Sequence, residues 1–154
     1  MTAESIVQRL TTRRVGDVMT RQFWSVATTD KLADVSHELI ERGLSAAPVL
    51  RSDGALAGII TKTDLLKEKE DVDPQLTVEA AMTPVTYSLT EDATVADATA
   101  ALGFEGIHHL PVLNAQGKIS GMLSSLDLLA EIASALGYQQ KRGAQGLIFA
   151  RNAS

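Results

Sequence analysis

The chain has 154 residues, of which 45% are hydrophobic, and it carries a formal net charge of −5. This length suits one compact domain or two half-size lobes that share a core, and the negative charge argues against general binding to nucleic acid. The absence of cysteine excludes a disulfide framework and a thiolate zinc site, which favours a reducing compartment. Residues 1–5 lack the features of a signal peptide, and no apolar run approaches the roughly 20 residues that span a bilayer. We therefore expect a cytoplasmic protein with no membrane contact.

The first half of the chain predicts a helical lead-in followed by strand, helix, strand, strand and helix. In the first helix after the lead-in, apolar residues recur with helical spacing, Thr29 or Asp30 is a candidate N-cap, and Gly43 ends the helix. The next two strands flank a turn at Ser52-Asp53-Gly54. The predicted elements are the lead-in at 1–14, a strand at 23–26, a helix at 31–42, strands at 46–50 and 56–61, and a helix at 62–69.

The second half predicts the same order of elements. Gly106 ends its first helix, Gln116-Gly117 forms the turn between two strands, and Gly137 ends the last helix. The apolar triplet Leu147-Ile148-Phe149 in the tail either docks on another part of the protein or belongs to a frayed end. The predicted elements are a strand at 87–89, a helix at 95–104, strands at 109–113 and 119–124, and a helix at 125–136.

The two halves are copies of each other in constant register. Val15 recurs as Val78 and Asp64 as Asp127, an offset of 63 in both cases (78 − 15 and 127 − 64), and the segment 48–50 recurs at 111–113. This period is longer than that of a solenoid repeat and occurs twice, so each copy is a small subdomain in a pseudo-twofold unit with two related clefts. We expect a lead-in at 1–14, one repeat at 15–70, a linker at 71–77, a second repeat at 78–136 and a tail at 137–154.

A motif with two interpretations lies where the third strand of each repeat enters the last helix. Residues 58–64 and 121–127 share the pattern glycine, two apolar residues, Ser or Thr, two variable residues and Asp. In the structural interpretation, Thr61 caps the helix and Asp64 accepts a hydrogen bond from the N-cap amide, as in a capping box. In the functional interpretation, the helix N-terminus suits a phosphate, and the carboxylate accepts hydrogen bonds from two ribose hydroxyls. Asp in place of the more usual Glu slightly favours the sugar.

These motifs, together with the signature at 43–49 and its counterpart at 106–112, resemble a tandem pair of CBS domains, also called a Bateman module. The resemblance covers about 15–136. It implies an α/β fold of two βαββα repeats related by a pseudo-twofold axis, with small sheets packed against helices. It also implies two clefts between the repeats that bind adenosine-containing ligands, and a regulatory rather than catalytic role.

The resemblance places the motif of each repeat against the strands of the other. Asp64 and Asp127 would bind ribose hydroxyls, while Thr61 and Ser124 would contact the first phosphate. The expected site closed by Asp64 contains Thr61, Thr63, Asp64, Thr83, Val85, Ile107, His108, His109 and Pro111, and the expected site closed by Asp127 contains Thr20, Phe23, Leu44, Ser45, Ala46, Pro48, Ser124 and Asp127.

The two expected sites differ in charge. His108 and His109 occur where the other repeat has Ser45 and an alanine, and Leu126 replaces the hydroxyl of Thr63. The site closed by Asp64 is therefore expected to be the better nucleotide site. The other would be weaker, prefer a less charged ligand, or borrow a histidine from across the cleft. No third metal ligand is near the two histidines in sequence, so we interpret them as strand residues and expect no metal site.

The main functional prediction is a sensor of AMP, ADP or ATP that requires no cofactor, takes magnesium only with ATP, and acts in trans on an unidentified partner. The alternatives are a dimerisation adaptor with unused clefts and a sensor of an S-adenosylmethionine-type ligand. An enzyme is disfavoured because the sequence has no Ser-His-Asp set, no Walker-type loop and no clustered carboxylate pair. A homodimer is expected, with apolar contacts from Leu65, Leu66, Leu128, Leu129 and Ile132.

Overall fold

A computed structural model describes residues 2–67, 73–85, 87–143 and 146–151 of the protein. The described helices are α1 (Ala3–Thr12), α2 (Leu32–Glu41), α3 (Lys62–Lys67), α4 (Val78–Ala81), α5 (Val95–Glu105) and α6 (Ser125–Ala135), with a 3-10 helix at Val15–Asp17. The described strands are β1 (Val26–Ala27), β2 (Ala46–Leu50), β3 (Leu56–Thr61), β4 (Thr83–Pro84), β5 (Leu89–Thr90), β6 (His109–Leu113), β7 (Ile119–Ser124), β8 (Tyr138–Gly143) and β9 (Gly146–Arg151).

Each repeat contributes a small sheet with the same register. In the first sheet the order is β1-β2-β3-β4, with β1 parallel to β2 and the other pairs antiparallel. The second sheet has the order β5-β6-β7, and its pairings reproduce those of β1, β2 and β3. The α/β fold of two βαββα repeats predicted from the sequence is confirmed.

The start of each repeat crosses into the other. Thr83 of the second repeat pairs with Ile59 in the first sheet, and Thr20 of the first repeat bridges Met122 in the second. These crossings bring β3 and β7, and the helices that follow them, against a segment of the opposite repeat. The pseudo-twofold relation is therefore visible in the hydrogen bonds as well as in the sequence.

The two hydrophobic cores are exchanged in the same way. Val15 is fully buried in the core of the second repeat, where it packs with residues of α5, β6 and β7. Val78 is fully buried in the core of the first repeat, beside residues of α2, β2 and β3. The amide of Val15 donates to the carbonyl of Ala93 at 2.8 Å, and the amide of Val78 donates to that of Asp30 at 2.9 Å. Neither core is complete without a valine from the other repeat.

Several element boundaries differ from those expected from the sequence. The strand expected at 23–26 is observed at Val26–Ala27, and the one expected at 87–89 is observed at Leu89–Thr90. Lys31 is the N-cap of α2, and the carboxylate of Asp30 instead accepts a hydrogen bond from the amide of Ala27. Asp30 thus closes the turn after β1, so the prediction that it caps the helix is wrong.

The remaining expectations about elements concern the helix ends and the tail. Gly43 and Gly106 follow α2 and α5 with φ of +64°, the left-handed conformation that glycine adopts without strain. The helix expected at 62–69 is described to Lys67, and part of the expected linker lies outside the described residues. The tail forms a hairpin in which β9, containing the apolar triplet, pairs with β8. Among the described residues, no helix is long and apolar enough to cross a membrane.

The leucines of the last helices do not share one environment. Leu128 is 3% exposed and packs in the core of the second repeat, so it is not available as a dimer contact. Leu65 is partly buried against the core of the first repeat. Leu66 and Leu129 remain exposed.

Candidate functional site

Two cavities lie where the repeats meet, and the larger one is at the start of α3. This Asp64-side cavity has a volume of about 410 Å³, within the range of small-molecule sites in proteins. It combines four hydroxyls, a lysine and two histidines with apolar side chains from both repeats. Its lining consists of Ser45, Ile59, Thr61, Lys62, Thr63, Thr83, Gly106, Ile107, His108 and His109.

Asp64 itself lies behind the wall of this cavity, with 5% of its surface exposed. Its Oδ2 accepts hydrogen bonds from the amide and the hydroxyl of Thr61, at 2.9 and 2.7 Å. Its Oδ1 accepts a hydrogen bond from the hydroxyl of Thr83 at 3.3 Å and lies 3.6 Å from Nζ of Lys67. Both carboxylate oxygens are therefore engaged within the protein, where they hold the start of α3 to the crossing strand β4.

The second cavity lies at the start of α6 and has a volume of about 160 Å³. This Asp127-side cavity is more aromatic and contains no lysine or arginine in its lining. Its walls come from the segment before β1, from the start of β2 and from the junction of β7 with α6. The lining consists of Thr20, Gln22, Phe23, Trp24, Leu44, Ser45, Ala46, Pro48, His109, Met122, Ser124 and Asp127.

The carboxylate of Asp127 faces its cavity. Oδ2 accepts hydrogen bonds from the amide and the hydroxyl of Ser124, at 2.7 and 2.9 Å, and the Ser124 hydroxyl accepts from the Asp127 amide at 3.2 Å. Within the described part of the chain, Oδ1 has no hydrogen-bond partner. Asp127 can therefore cap α6 and still offer one oxygen to a ligand hydroxyl, which Asp64 cannot do without releasing Thr83.

The cavity volume and the carboxylate geometry thus favour different cavities as the nucleotide site. The Asp64-side cavity is larger and contains Lys62, His108 and His109, which agrees with its expected preference for a charged ligand. The free carboxylate oxygen, however, belongs to the Asp127-side cavity. Since a phosphate needs positive charge and a ribose needs a carboxylate or amide acceptor, the two cavities suit different parts of a nucleotide.

His109 and Ser45 line both cavities. The Oγ atom of Ser45 lies 3.0 Å from Nε2 of His109, in hydrogen-bonding distance. Burial lowers the pKa of His109 below its usual value of 6.5, and the charge of His108 acts in the same direction, while the carboxylate of Asp127 opposes them. The neutral imidazole is therefore favoured in the ligand-free protein, despite the nearby carboxylate of Asp127.

Aromatic residues lie at equivalent places beside the two cavities. Trp24 lines the Asp127-side cavity and packs against the core of the first repeat, with the guanidinium of Arg42 5.0 Å from its ring centroid. Tyr87 lines a side pocket of about 70 Å³ that shares residues with the Asp64-side cavity. A hydrogen bond to Glu105 raises the pKa of the Tyr87 hydroxyl. Both aromatic residues are thus held by a charged side chain from the end of the neighbouring helix.

The structure brings together most of the residues that the sequence assigned to the sites. Every residue expected at the Asp127 site lines the Asp127-side cavity. Of the residues expected at the other site, Asp64 is covered by its hydrogen bonds, Pro111 is fully buried in β6, and Val85 lines the side pocket. The others, namely Thr61, Thr63, Thr83, Ile107, His108 and His109, line the Asp64-side cavity.

The structure adds residues that the sequence reasoning did not assign. Ile59 and Met122 line the two cavities two residues before Thr61 and Ser124, and the alternation of side chains along a strand predicts that each pair shares a face. Lys62, the first of the two variable residues of the motif, also lines the larger cavity. No pattern in the sequence marked Gln22, which lines the smaller cavity from a segment without regular structure.

Comparison with known proteins identifies the family. The family model of the CBS domain matches residues 15–71 and 78–134, in the same register as the internal repeat. The chain belongs to the CBS domain family. Its two repeats form a CBS pair, and the two cavities lie where the repeats exchange their first segments.

Curated relatives share the CBS pair over much of this chain. An uncharacterized 17.7 kDa protein of Acidianus ambivalens is 31% identical over 115 residues, which cover 75% of this chain and 70% of that protein. The A-adding tRNA nucleotidyltransferase of Aquifex aeolicus is 32% identical over 119 residues, which cover 77% of this chain but 14% of the enzyme. The CBS pair therefore occurs within proteins of very different length.

Solved structures confirm the fold of the CBS pair. The structure of CBSX2 in complex with AMP superposes with a TM-score of 0.70 at 24% identity, covering 79% of this chain and 97% of the other. The CBS domain of a bacterial CNNM/CorC family Mg2+ transporter in complex with ATP gives a TM-score of 0.75 at 22% identity, covering 84% and 96%. The CBS domain pair of protein MJ0100, in complex with 5-methylthioadenosine and S-adenosyl-L-methionine, gives 0.69 at 22% identity, covering 76% and 97%.

Proposed function

We propose that this CBS pair is a regulatory sensor that binds an adenine nucleotide in the cavities between its repeats and acts on a partner protein without catalysing a reaction itself. The observation that carries the proposal is the composition of the two cavities. Each joins the polar junction of a β-strand and a helix from one repeat to strand residues from the other. A ligand bound there contacts both repeats at once, so its binding can change their relative arrangement.

The Asp64-side cavity suits the phosphate and sugar of a nucleotide. Lys62, His108 and His109 provide the positive charge or hydrogen-bond donors that a phosphate requires. The hydroxyls of Thr61 and Thr63 lie on the same wall. The volume of about 410 Å³ also lies in the range that buries a ligand of this size.

The Asp127-side cavity suits a smaller or less charged group. The free Oδ1 of Asp127 can accept a hydrogen bond from a ribose hydroxyl, and Phe23, Trp24 and Met122 offer apolar surface to a base. This composition also favours the second candidate, an S-adenosylmethionine-type ligand. A sulfonium cation is attracted by the carboxylate of Asp127 and by the face of Trp24, provided the group reaches them.

The solved neighbours support an adenosine-containing ligand. AMP, ATP, 5-methylthioadenosine and S-adenosyl-L-methionine occur in the complexes of CBSX2, the CNNM/CorC transporter domain and MJ0100, and adenosine is the part common to all four. For this chain we infer a ligand that contains adenosine. The positive groups of the Asp64-side cavity favour a nucleotide over adenosine.

A sensor also needs a recipient of its signal. A ligand shifts an equilibrium only when its affinity for the two states of the protein differs. In this CBS pair the two states would differ in how the repeats are apposed across the cavities. We therefore infer a partner in trans, or a second copy of the chain, that binds one of these arrangements better than the other.

Calorimetric titration with AMP, ADP, ATP, S-adenosylmethionine and adenosine tests the proposal, with GMP as the control for the base. We expect at least one adenine ligand to bind, and saturation at a hundredfold over its dissociation constant to add about 2.7 kcal/mol to the free energy of unfolding. ATP should remain unhydrolysed after incubation. The absence of binding by every adenosine compound at millimolar concentration would favour the dimerisation adaptor instead, and turnover of ATP would contradict a purely regulatory role.

A further inference from the structure

Within the described part of the chain, Ser45 and His109 are the two residues that line both cavities. They come from opposite repeats: Ser45 immediately precedes β2, His109 is the first residue of β6, and their side chains lie 3.0 Å apart. Together they form the wall between the Asp64-side and Asp127-side cavities. A change in this hydrogen bond therefore alters the lining of both cavities.

The charged groups around His109 differ between the two sides. His108 precedes it in sequence and lines the Asp64-side cavity with Lys62, so this side is positive when the histidines are protonated. Asp127 faces it from the first turn of α6. Asp64 lies behind Thr61 with both oxygens engaged. An anion in the Asp64-side cavity would add the negative charge that this side lacks.

Protonation of His109 changes which partner donates the hydrogen bond. A neutral imidazole can accept the hydroxyl proton of Ser45 at Nε2, whereas a protonated imidazole can only donate from that nitrogen. When His109 donates, the hydroxyl of Ser45 accepts that hydrogen bond, and its own O–H becomes free to donate to an acceptor in the Asp127-side cavity. The positive charge of His109 then also lies at the edge of that cavity.

We propose that Ser45 and His109 couple the two cavities, so that an anionic ligand in the Asp64-side cavity raises the affinity of the Asp127-side cavity. This inference rests on the proposed nucleotide binding. The anion favours the protonated form of His109, and the proton is taken up from solvent. The coupling should therefore disappear at pH 9, where His109 stays neutral with or without the anion, and it should weaken at low pH once His109 is protonated before the ligand arrives.

Trp24 makes the Asp127-side cavity observable by itself, because it is the only tryptophan of the chain and lines that cavity. The experiment follows Trp24 fluorescence during titration with AMP, in the wild-type protein and in Lys62→Gln. Lys62 is exposed, and removing its charge should weaken AMP binding on the Asp64 side without placing a carboxylate beside His109. Lys118→Gln, the same charge removal at an exposed turn residue outside both cavities, is the matched control.

Near pH 7, AMP should bind the Trp24 cavity about fivefold or more tightly in the wild type and in Lys118→Gln than in Lys62→Gln. In a Ser45→Ala background, this ratio should fall, because the hydroxyl is absent and only the charge of His109 still acts on the Asp127-side cavity. A wild-type ratio near one, or an unchanged ratio in Ser45→Ala, would overturn the coupling. Calorimetry on the same samples separates the two proposals. If AMP binding releases or absorbs heat but the affinity ratio is near one, only the coupling is rejected. If titration with AMP gives no heat of binding, the proposed function is rejected.

Discussion

The hydroxyl of Thr83 donates a hydrogen bond to Oδ1 of Asp64 at 3.3 Å and thereby ties the second repeat to the helix start of the first. The equivalent residues of the other repeat, Thr20 and Asp127, both line the smaller cavity, and no hydrogen bond joins them in the described part of the chain. The two copies of the internal repeat thus use the same carboxylate differently. Asp64 is a structural cross-link, and Asp127 is available to a ligand.

This difference predicts opposite effects of two equivalent substitutions. Asp64→Ala should lower the free energy of unfolding of the ligand-free protein by about 1–3 kcal/mol, because it removes the carboxylate that caps α3 and takes away the acceptor of the Thr61 and Thr83 donors. Asp127→Ala should lower the free energy of unfolding less than Asp64→Ala does, but it should weaken ligand binding more. A double-mutant cycle of Asp64→Ala with Thr83→Val should give an interaction energy of at least about 0.5 kcal/mol, measured by chemical unfolding.

The cycle of Asp127→Ala with Thr20→Val is the matched control and should give an interaction energy near zero. Equal interaction energies in the two cycles would contradict the assignment of Asp64 as the cross-link.

The glycine that begins each motif gives the crossing segment room to approach. A Cβ atom added at Gly58 would lie 2.6 Å from the carbonyl oxygen of Thr83, and one added at Gly121 would lie 2.5 Å from Sδ of Met19. The first clash involves backbone in a paired strand, whereas the second involves a side chain that can change rotamer. Gly58→Ala should therefore destabilise the protein by about 1–3 kcal/mol, and Gly121→Ala by less.

Thermal unfolding of both variants checks this prediction, with Gly103→Ala as the control because a Cβ atom there would meet nothing within 4 Å. A larger destabilisation by Gly121→Ala would show that Gly121 and Met19 are packed more tightly than Gly58 and Thr83, which would contradict the prediction.

The repeat pattern predicts the architecture because strand and helix signals recur in both copies and the cores follow from their alternation. The exchange of Val15 and Val78 between the cores could not be predicted in this way. Both valines precede short segments without a strong helical or strand pattern, and their partners lie far along the chain. Tertiary contacts, rather than local propensity, decide where such segments pack.

The candidate site shows the same limit. The pattern of Ser or Thr followed three residues later by Asp forms capping boxes at Ser124 and also at Thr94, which lines neither cavity. The pattern alone therefore predicts a helix start, and its position after a glycine-led strand indicates the cavity. The different roles of Asp64 and Asp127 depend on how closely Thr83 and Thr20 approach, which no spacing in the sequence encodes.

The lowered pKa of His109 predicts how the stability of the ligand-free protein depends on pH. The unfolded chain has the ordinary histidine pKa near 6.5, so below that pH it binds more protons at this position than the folded protein does. Stability should be fully present above about pH 7.5 and decline as the pH falls through 6.5. His109→Gln should flatten this part of the profile, whereas the exposed His37→Gln should leave it unchanged. Urea unfolding at a series of pH values measures both, and identical profiles for His109→Gln and wild type would exclude His109 as the source.

A phosphate near the two histidines predicts tighter binding of AMP as the pH falls from about 8 to about 6. The bound anion favours the protonated imidazole, and by linkage the protonated imidazole favours the anion. The second ionisation of phosphate, near pH 6, opposes this trend and has to be included in the fit. Adenosine should show little change over the same range.

Calorimetry with AMP and adenosine at each pH measures this effect, and the double variant His108→Ala/His109→Ala should lose the pH dependence while retaining adenosine binding. Superimposable AMP profiles for the wild type and the double variant would assign phosphate recognition to Lys62 and the threonine hydroxyls instead.

Exposed apolar side chains on α5 and α6 predict that the protein forms a homodimer. Phe104 is 89% exposed and Leu129 is 59% exposed, while Leu128 belongs to the core. Beside Phe104 lies a groove of about 400 Å³, lined by Leu10, Ala96, Thr99, Ala100, Gly103, Phe104 and Ile132. Contiguous apolar surface of this kind is typical of a protein interface, so a second copy of the chain would remove it from water.

Light scattering at micromolar concentration should give twice the monomer mass, both with and without AMP. Phe104→Glu and Leu129→Glu should each shift the mass towards the monomer, because a charge placed in a dehydrated interface is costly, whereas Lys118→Glu should leave it unchanged. Circular dichroism should show that both interface variants remain folded, since neither side chain belongs to a core cluster. A monomer mass for the wild-type protein under all of these conditions would reject the dimer and leave the apolar face for a different partner.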